Sequence, residues 1–263
     1  MEDSPLGLDK WALAVWMEVN CKNSISSYEL HRAAHITQKT AWFLLHRIRF
    51  AIKKKSFEKM GRNGVPVEAD ETFFGGLAKF MHRKEREKKI FGSGQSGKAV
   101  VMGLLERHSG KKHSTIRAMV LPTQPSKDDI TQVIHQNVAN GAHLMTDEHA
   151  AYQGLEGDFE HQFINHAEKY VDGVIHTNGM ENFWSLFKRC IKGTHISVDP
   201  FHLLAYVDSE AFRFNNRKGK DSDRFLLAAR KYFGKRLTYK ALIGASEGAP
   251  GADKDAGSEN PPN

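Results

Sequence analysis

Two cysteines in 263 residues, Cys21 and Cys190, are too few for a disulfide framework or a four-cysteine zinc site. A reducing compartment is the natural home of such a chain. No apolar run approaches the roughly 20 residues that a membrane-spanning helix needs. The opening MEDSPLGLDKW is acidic and broken by proline and glycine, unlike a secretory leader. A cytoplasmic protein without a membrane partner is therefore expected. A His-Glu-x-x-His zinc motif is also missing, although there are fourteen histidines. His31 and His35 have the i, i+4 spacing but no acid partner, and His143, His149, His176 and His195 read as supporting or surface groups.

Positive charge is what the chain has in excess. The formal net charge is +7 and the pI about 9.3. Because the last twenty residues are acidic, the folded body is more basic than the total. A basic body favours a polyanionic partner, nucleic acid before an anionic membrane surface. The length suffices to bury one main domain with a smaller one attached.

Residues 1–60 read as helical. LDKWALAVWMEVN gives one helix, Ser26 with Glu29 forms a capping box for SYELHRAA, and Thr37 caps QKTAWFLLHRIRFAIKKK. The turn Ala34-His35-Ile36 is short, and Ala41, Leu44, Leu45, Ile48 and Ile52 share one face of the third helix. This is a helix-turn-helix pattern. Gln38, Lys39 and Thr40 would then reach base edges, while Arg47, Arg49 and Lys53 to Lys55 would meet phosphates. A plain helical hairpin used for packing or dimerisation is the alternative.

From Val65 the hydrophobic period changes to two. VPVEADETFFGG sets Val65, Val67 and Ala69 on one face of a strand and Glu68, Asp70 and Thr72 on the other. Lys79 to Lys98 is a basic, glycine-punctuated insertion, either a phosphate-binding loop or a solvated one. A hairpin turning at His108-Ser109-Gly110 follows, then a helix capped by Ser126, a strand that stops at Asp147 and a further strand in FEHQFINHAEKYVD. The helices IHTNGMENFWSLFKRCIK, VDPFHLLAYVDSEAFRFNNRK and DRFLLAARKYFGKRLTYKALIG complete the pattern, and residues 244–263 are expected to be disordered. This order predicts, for residues 61–243, an α/β domain with a mixed sheet flanked by helices, the general plan of ribonuclease H-like nucleases.

That plan sets Asp70 and Asp147 on neighbouring strands, with the Asn178/Glu181 helix over their ends. Three oxygen donors from separate elements suit Mg²⁺ or Mn²⁺, and two such ions can serve phosphodiester displacement. On the helix, Asn178, Glu181, Ser185, Lys188 and Lys192 form a polar row opposite Met180, Phe183, Trp184, Phe187 and Ile191. Lys188, with Arg189 and Lys192, is placed to grip DNA phosphates.

VEADETFFGG, TDEHAAY, IHTNGMENFWSLFKRCIKGTHISV and AYVDSEAFRFNNR together resemble the ISXO2-like transposases of the IS1595 family. The likeness runs from about Trp11 to about Arg217. It implies a DDE-type transposase with an RNase H-like catalytic domain, which uses divalent metal to cut insertion-sequence ends and join them to target DNA as an oligomer on the DNA. By position, Asp70 and Asp147 match the two family aspartates and Lys188 its downstream lysine. The third ligand is usually Asn and in some members Glu, so Asn178 and Glu181 both stand. The chain departs from the pattern at its start, because members typically begin with a cysteine-rich zinc ribbon and two cysteines cannot supply one; a shortened or differently started form is expected. Another RNase H-like nuclease or resolvase, or a catalytically silent DNA-binding derivative, are the competing readings.

Overall fold

Three helices open the chain: α1 (Leu8–Asn20), α2 (Ser27–Ala34) and α3 (Gln38–Ile52). The computed structural model describes residues 4–53, 58–75, 98–108, 113–122, 124–147, 152–164, 177–232 and 234–244. Nearly all of the Lys79–Lys98 insertion, the turn residues Ser109 and Gly110, His149, His176 and the tail from residue 245 lie outside them. The expected caps form. The Ser26 hydroxyl accepts the Glu29 backbone N–H at 3.2 Å, and the Glu29 carboxylate accepts the Ser26 backbone N–H at 2.8 Å. The Thr37 hydroxyl accepts the Thr40 N–H at 3.1 Å. His35 turns the chain between α2 and α3 with φ of 50°, and the predicted inner face of α3 is buried.

Arg49 corrects one expectation. It was placed among the phosphate contacts, but it is buried and bidentate with Glu18 of α1, at 2.9 Å from Nε to Oε1 and 3.2 Å from Nη2 to Oε2. Helical periodicity sets Arg49 next to Ile48 at the edge of the apolar face, and a buried acid on α1 draws it inward.

The sheet has five strands: β1 (Val67–Phe74), β2 (Ala99–Glu106), β3 (Thr115–Leu121), β4 (His143–Asp147) and β5 (Glu160–Ile164), with α4 (Lys127–Asn137) crossing between β3 and β4. Their order is β3-β2-β1-β4-β5. β1, β2 and β3 pair antiparallel, whereas β4 is parallel to both β1 and β5. After β5 come α5 (Asn178–Cys190) and α6 (Pro200–Asn215). The result is the expected mixed sheet between helical layers, of the RNase H-like kind.

Alternation along the strands assigns side chains to the two layers. Val67, Ala69, Val100, Met102 and Leu104 pack with Ile130 and Ile134 of α4. Ala99, Val101, Leu105 and Ile116 pack with Met180, Phe183 and Phe187 of α5 and with Leu203, Val207 and Phe214 of α6. β2 is buried on both faces, which accounts for its unbroken run AVVMGLL. At the sheet edge, the Asn215 amide pairs with the β3 backbone: Oδ1 accepts the Ile116 N–H at 2.7 Å and Nδ2 donates to the Ile116 carbonyl at 2.9 Å.

Two short helices follow, α7 (Asp221–Arg230) and α8 (Tyr239–Leu242). Residues up to Ile52 and those from Asp221 onward form one compact unit, and Lys53–Lys220 form the other. Edge contacts join the first unit, Trp11 with Tyr232 at 5.8 Å and Phe43 with Tyr239 at 5.6 Å between ring centroids. No helix among the described residues is long and apolar enough to cross a membrane.

The Glu18–Arg49 pair makes a stability prediction. Arg49→Leu leaves an uncompensated buried carboxylate and is expected to cost about 3–5 kcal/mol, read as a lowered urea midpoint. Replacing both members with apolar residues should recover most of that loss.

Candidate active site

The acidic face of β1 is turned toward α5. Glu68, Asp70 and Thr72 alternate with Val67 and Ala69, which belong to the α4 side. β1 and β4 run parallel with Glu68 opposite Met145. Two residues further along each strand, past the last paired residues, stand Asp70 and Asp147, near enough that the charge of Asp147 raises the Asp70 carboxyl.

α5 is amphipathic as its sequence requires. Met180, Phe183, Trp184, Phe187 and Cys190 are buried, and Asn178, Glu181, Ser185 and Lys188 are exposed. It can sit close to the sheet because Gly103, opposite Asp70 on β2, has no side chain. A Cβ there would lie 2.2 Å from the Met180 methyl and 2.8 Å from the Trp184 ring. The approach lets the Trp184 indole N–H donate to Asp70 Oδ2 at 3.0 Å. Asp70, Glu71, Thr72, Glu181, Trp184, Ser185 and Lys188 then line a cleft of about 440 Å³.

The structure thus brings Asp70, Glu181 and Lys188 to one cleft. Asn178, in the first turn of α5, is exposed and not among the lining residues. Arg189 is exposed on α5, and Lys192 is exposed in a π-type turn, Ile191–His195, that follows the helix instead of continuing its row. In the helical unit the Gln38 amide donates to Ser27 Oγ at 2.9 Å, which ties α3 to α2. Lys39 is exposed, with its ammonium 5.1 Å from the Tyr239 ring centroid. Thr40 shares a 2.7 Å hydroxyl contact with Thr37. The Arg47 guanidinium is half-buried, 4.6 Å from the Trp11 ring centroid. Of the histidines, His143 contacts Glu160 at 2.6 Å and His195 lies edge-on to Tyr206.

Carboxylates crowd the middle of β1 and the end of β4. Burial first and then Asp147 raise Asp70 from 3.8 to about 6, against the opposing Trp184 hydrogen bond. Burial likewise lifts Glu71 from 4.5 to about 7, with Asp147 and Asp70 adding to it and the Tyr152 hydroxyl drawing it down. Glu71 Oε1 and Asp147 Oδ1 are buried without a hydrogen-bond partner among the described residues. Crowded oxygens with unused lone pairs fit a hard divalent cation. Among the described residues no three His, Cys, Asp or Glu side chains converge closely enough to hold an ion alone. Water or phosphate oxygens would have to complete the shell, as magnesium commonly requires.

Glu68, Glu71, Tyr152 and Arg107 were not singled out by the sequence. Glu68 is buried, held by Arg107 Nε at 2.6 Å and by the Met180 backbone N–H at 2.8 Å. Its place two residues before Asp70 was the available signal, since period two puts both acids on one face. Nothing in the local pattern points to Arg107 or Tyr152.

A family model described as ISXO2-like transposase domain matches residues 63–215, more than half of the chain. No curated protein matches the sequence.

The raised carboxyl groups fix the sign of a pH effect. A group protonated more readily in the folded chain contributes stability that is complete below its unfolded value and lost as pH rises, through about 6 for Asp70 and about 7 for Glu71. In metal-free buffer, Asp70→Asn should therefore melt higher than the parent at pH 8. That difference should close as the pH falls toward 4, as followed by thermal denaturation.

Proposed function

The chain belongs to the ISXO2-like transposase family, and from that membership we propose that it is an insertion-sequence transposase, cutting DNA strands at the element's ends and joining them to target DNA. The observation that carries this reading is the nearness of Asp147, at the end of β4, to Asp70 on β1, beside a cleft that Glu181 and Lys188 also line.

In this mechanism Asp70, Asp147 and Glu181 would hold Mg²⁺ or Mn²⁺, two ions in the working complex, with water or phosphate oxygens completing the shell. Such ions would supply activation of the attacking hydroxyl and charge stabilisation at the leaving oxygen. Glu181 is favoured over Asn178 because it lines the cleft with Asp70, and it brings a full negative charge where an amide brings none. The Trp184 indole holds one oxygen of Asp70 and fixes the carboxylate plane, which leaves the other oxygen for coordination. Lys188, about 10 Å along α5 from Glu181 by helical rise, takes the phosphate next to the one being cut. Arg189 and Lys192 extend that cationic track.

The helix pair α2–α3 is assigned to DNA binding, with Lys39 and Thr40 at the exposed start of α3 and Arg47 behind them. The helical unit, up to Ile52 and from Asp221 onward, then serves as the DNA-reading part and Lys53–Lys220 as the catalytic one, in a homo-oligomer on the DNA. Work in the cytoplasm agrees with this reading.

The test is a cleavage and strand-transfer assay on duplexes carrying the inverted repeats that flank the coding region, with Mg²⁺ or Mn²⁺. Asp70→Asn and Asp147→Asn should each abolish both steps and retain DNA binding by mobility shift. Trp184→Phe, which removes the hydrogen bond to Asp70 together with the ring atoms packed over Gly103, should cost about 10–100-fold in rate. A parent protein that binds these ends but never cuts them would overturn the proposal in favour of a silent DNA-binding derivative.

A further inference from the structure

α5 carries the cleft residues Glu181 and Lys188, yet its own start is poorly capped. The N-cap residue, Thr177, has φ of −115° and ψ of 19° and makes no side-chain cap hydrogen bond. The first N–H groups of a helix need acceptors, and the third is the one that an N-cap serine or aspartate ordinarily serves. Here the third is Met180, and its N–H donates at 2.8 Å to Glu68 Oε2, 112 residues away on β1.

Several features are built around that contact. Gly179 makes room for it, since a Cβ there would lie 2.8 and 2.9 Å from the two Glu68 oxygens and 3.0 Å from Leu105. Arg107 Nε meets the other Glu68 oxygen at 2.6 Å, so the charge is balanced although Glu68 is only 1 % exposed. The carboxylate also lies at the positive end of the α5 dipole. On one side the contact is two strand residues, about 7 Å, from Asp70. On the other it is one residue from Glu181.

We propose that Glu68 is a positioning residue for the metal site: by seating the first turn of α5 on β1, it sets Glu181 relative to Asp70. This deepens the reading of the cleft as a metal centre and rests on it. Glu68 itself takes no part in coordination, because both of its oxygens are engaged.

Mn²⁺ binding to the full chain, followed by electron paramagnetic resonance without DNA, separates this role from a merely stabilising one. Glu68→Ala should weaken Mn²⁺ about 10-fold or more, in the range seen when a group that orients a ligand is removed. Gly179→Ala keeps every charge but obstructs the contact, and should weaken binding similarly with an unchanged far-ultraviolet spectrum. Glu68→Gln, made with Arg107→Met so that its amide NH₂ does not face a donor, retains the acceptor for Met180 and should stay within about 3-fold of the parent, the rescue that position demands. If Glu68→Ala fails to fold, Gly179→Ala and Glu68→Gln carry the comparison. Parent-like affinity in Gly179→Ala, or loss in Glu68→Gln equal to that in Glu68→Ala, overturns the positioning role. A parent that binds no Mn²⁺, or binds it as well after Asp70→Asn, overturns the metal reading beneath it instead.

Discussion

Like charges resist being gathered where water is scarce, and the middle of β1 with the end of β4 gathers Asp70, Glu71 and Asp147. Elsewhere the chain treats a buried acid differently. Glu18, Glu68 and Glu210 each have an arginine partner, Arg49, Arg107 and Arg213 respectively. The first two pairs tie separate segments together, the third lies within α6, and all leave little net charge. Among the described residues, no arginine pairs with the three acids of β1 and β4. Strongly perturbed acids in a cleft are a mark of function, because selection for stability alone would have neutralised or removed them.

Keeping such acids in place is a matter of packing as much as of charge. A glycine at 103 lets a tryptophan on the overlying helix reach an aspartate on the adjacent strand. The aromatic stack behind it, Phe183 edge-on to Phe214 and Phe74 against Phe187 at 4.7 Å, fixes the rotation of α5 and hence which side chains face the cleft. The geometry of the cleft thus depends on residues with no chemistry of their own.

Much of this was legible from the chain alone. Caps at Ser26, Ser126 and Thr37 formed because their partners lie three residues away, within the reach of local pattern. The strand through Asp70 and the stripe on α5 followed from period two and period 3.6. Partners chosen across the fold left no such trace. Arg49 looked like a surface cation until Glu18, thirty-one residues earlier, claimed it. Tyr152 beside Glu71, and Arg107 at Glu68, are likewise set by tertiary contact. The grouping of the helices after Asp221 with the first three depends on ring contacts across some two hundred residues, which no local pattern records.

The Asn215 amide has a consequence for how copies can assemble. β3 is an outer strand, and its free backbone at Ile116 is already occupied by a side chain that mimics a peptide group. A strand from a second molecule cannot zip onto β3 at that point without first displacing the amide. Sheet extension is blocked there, and stacking into fibrils through this border is discouraged.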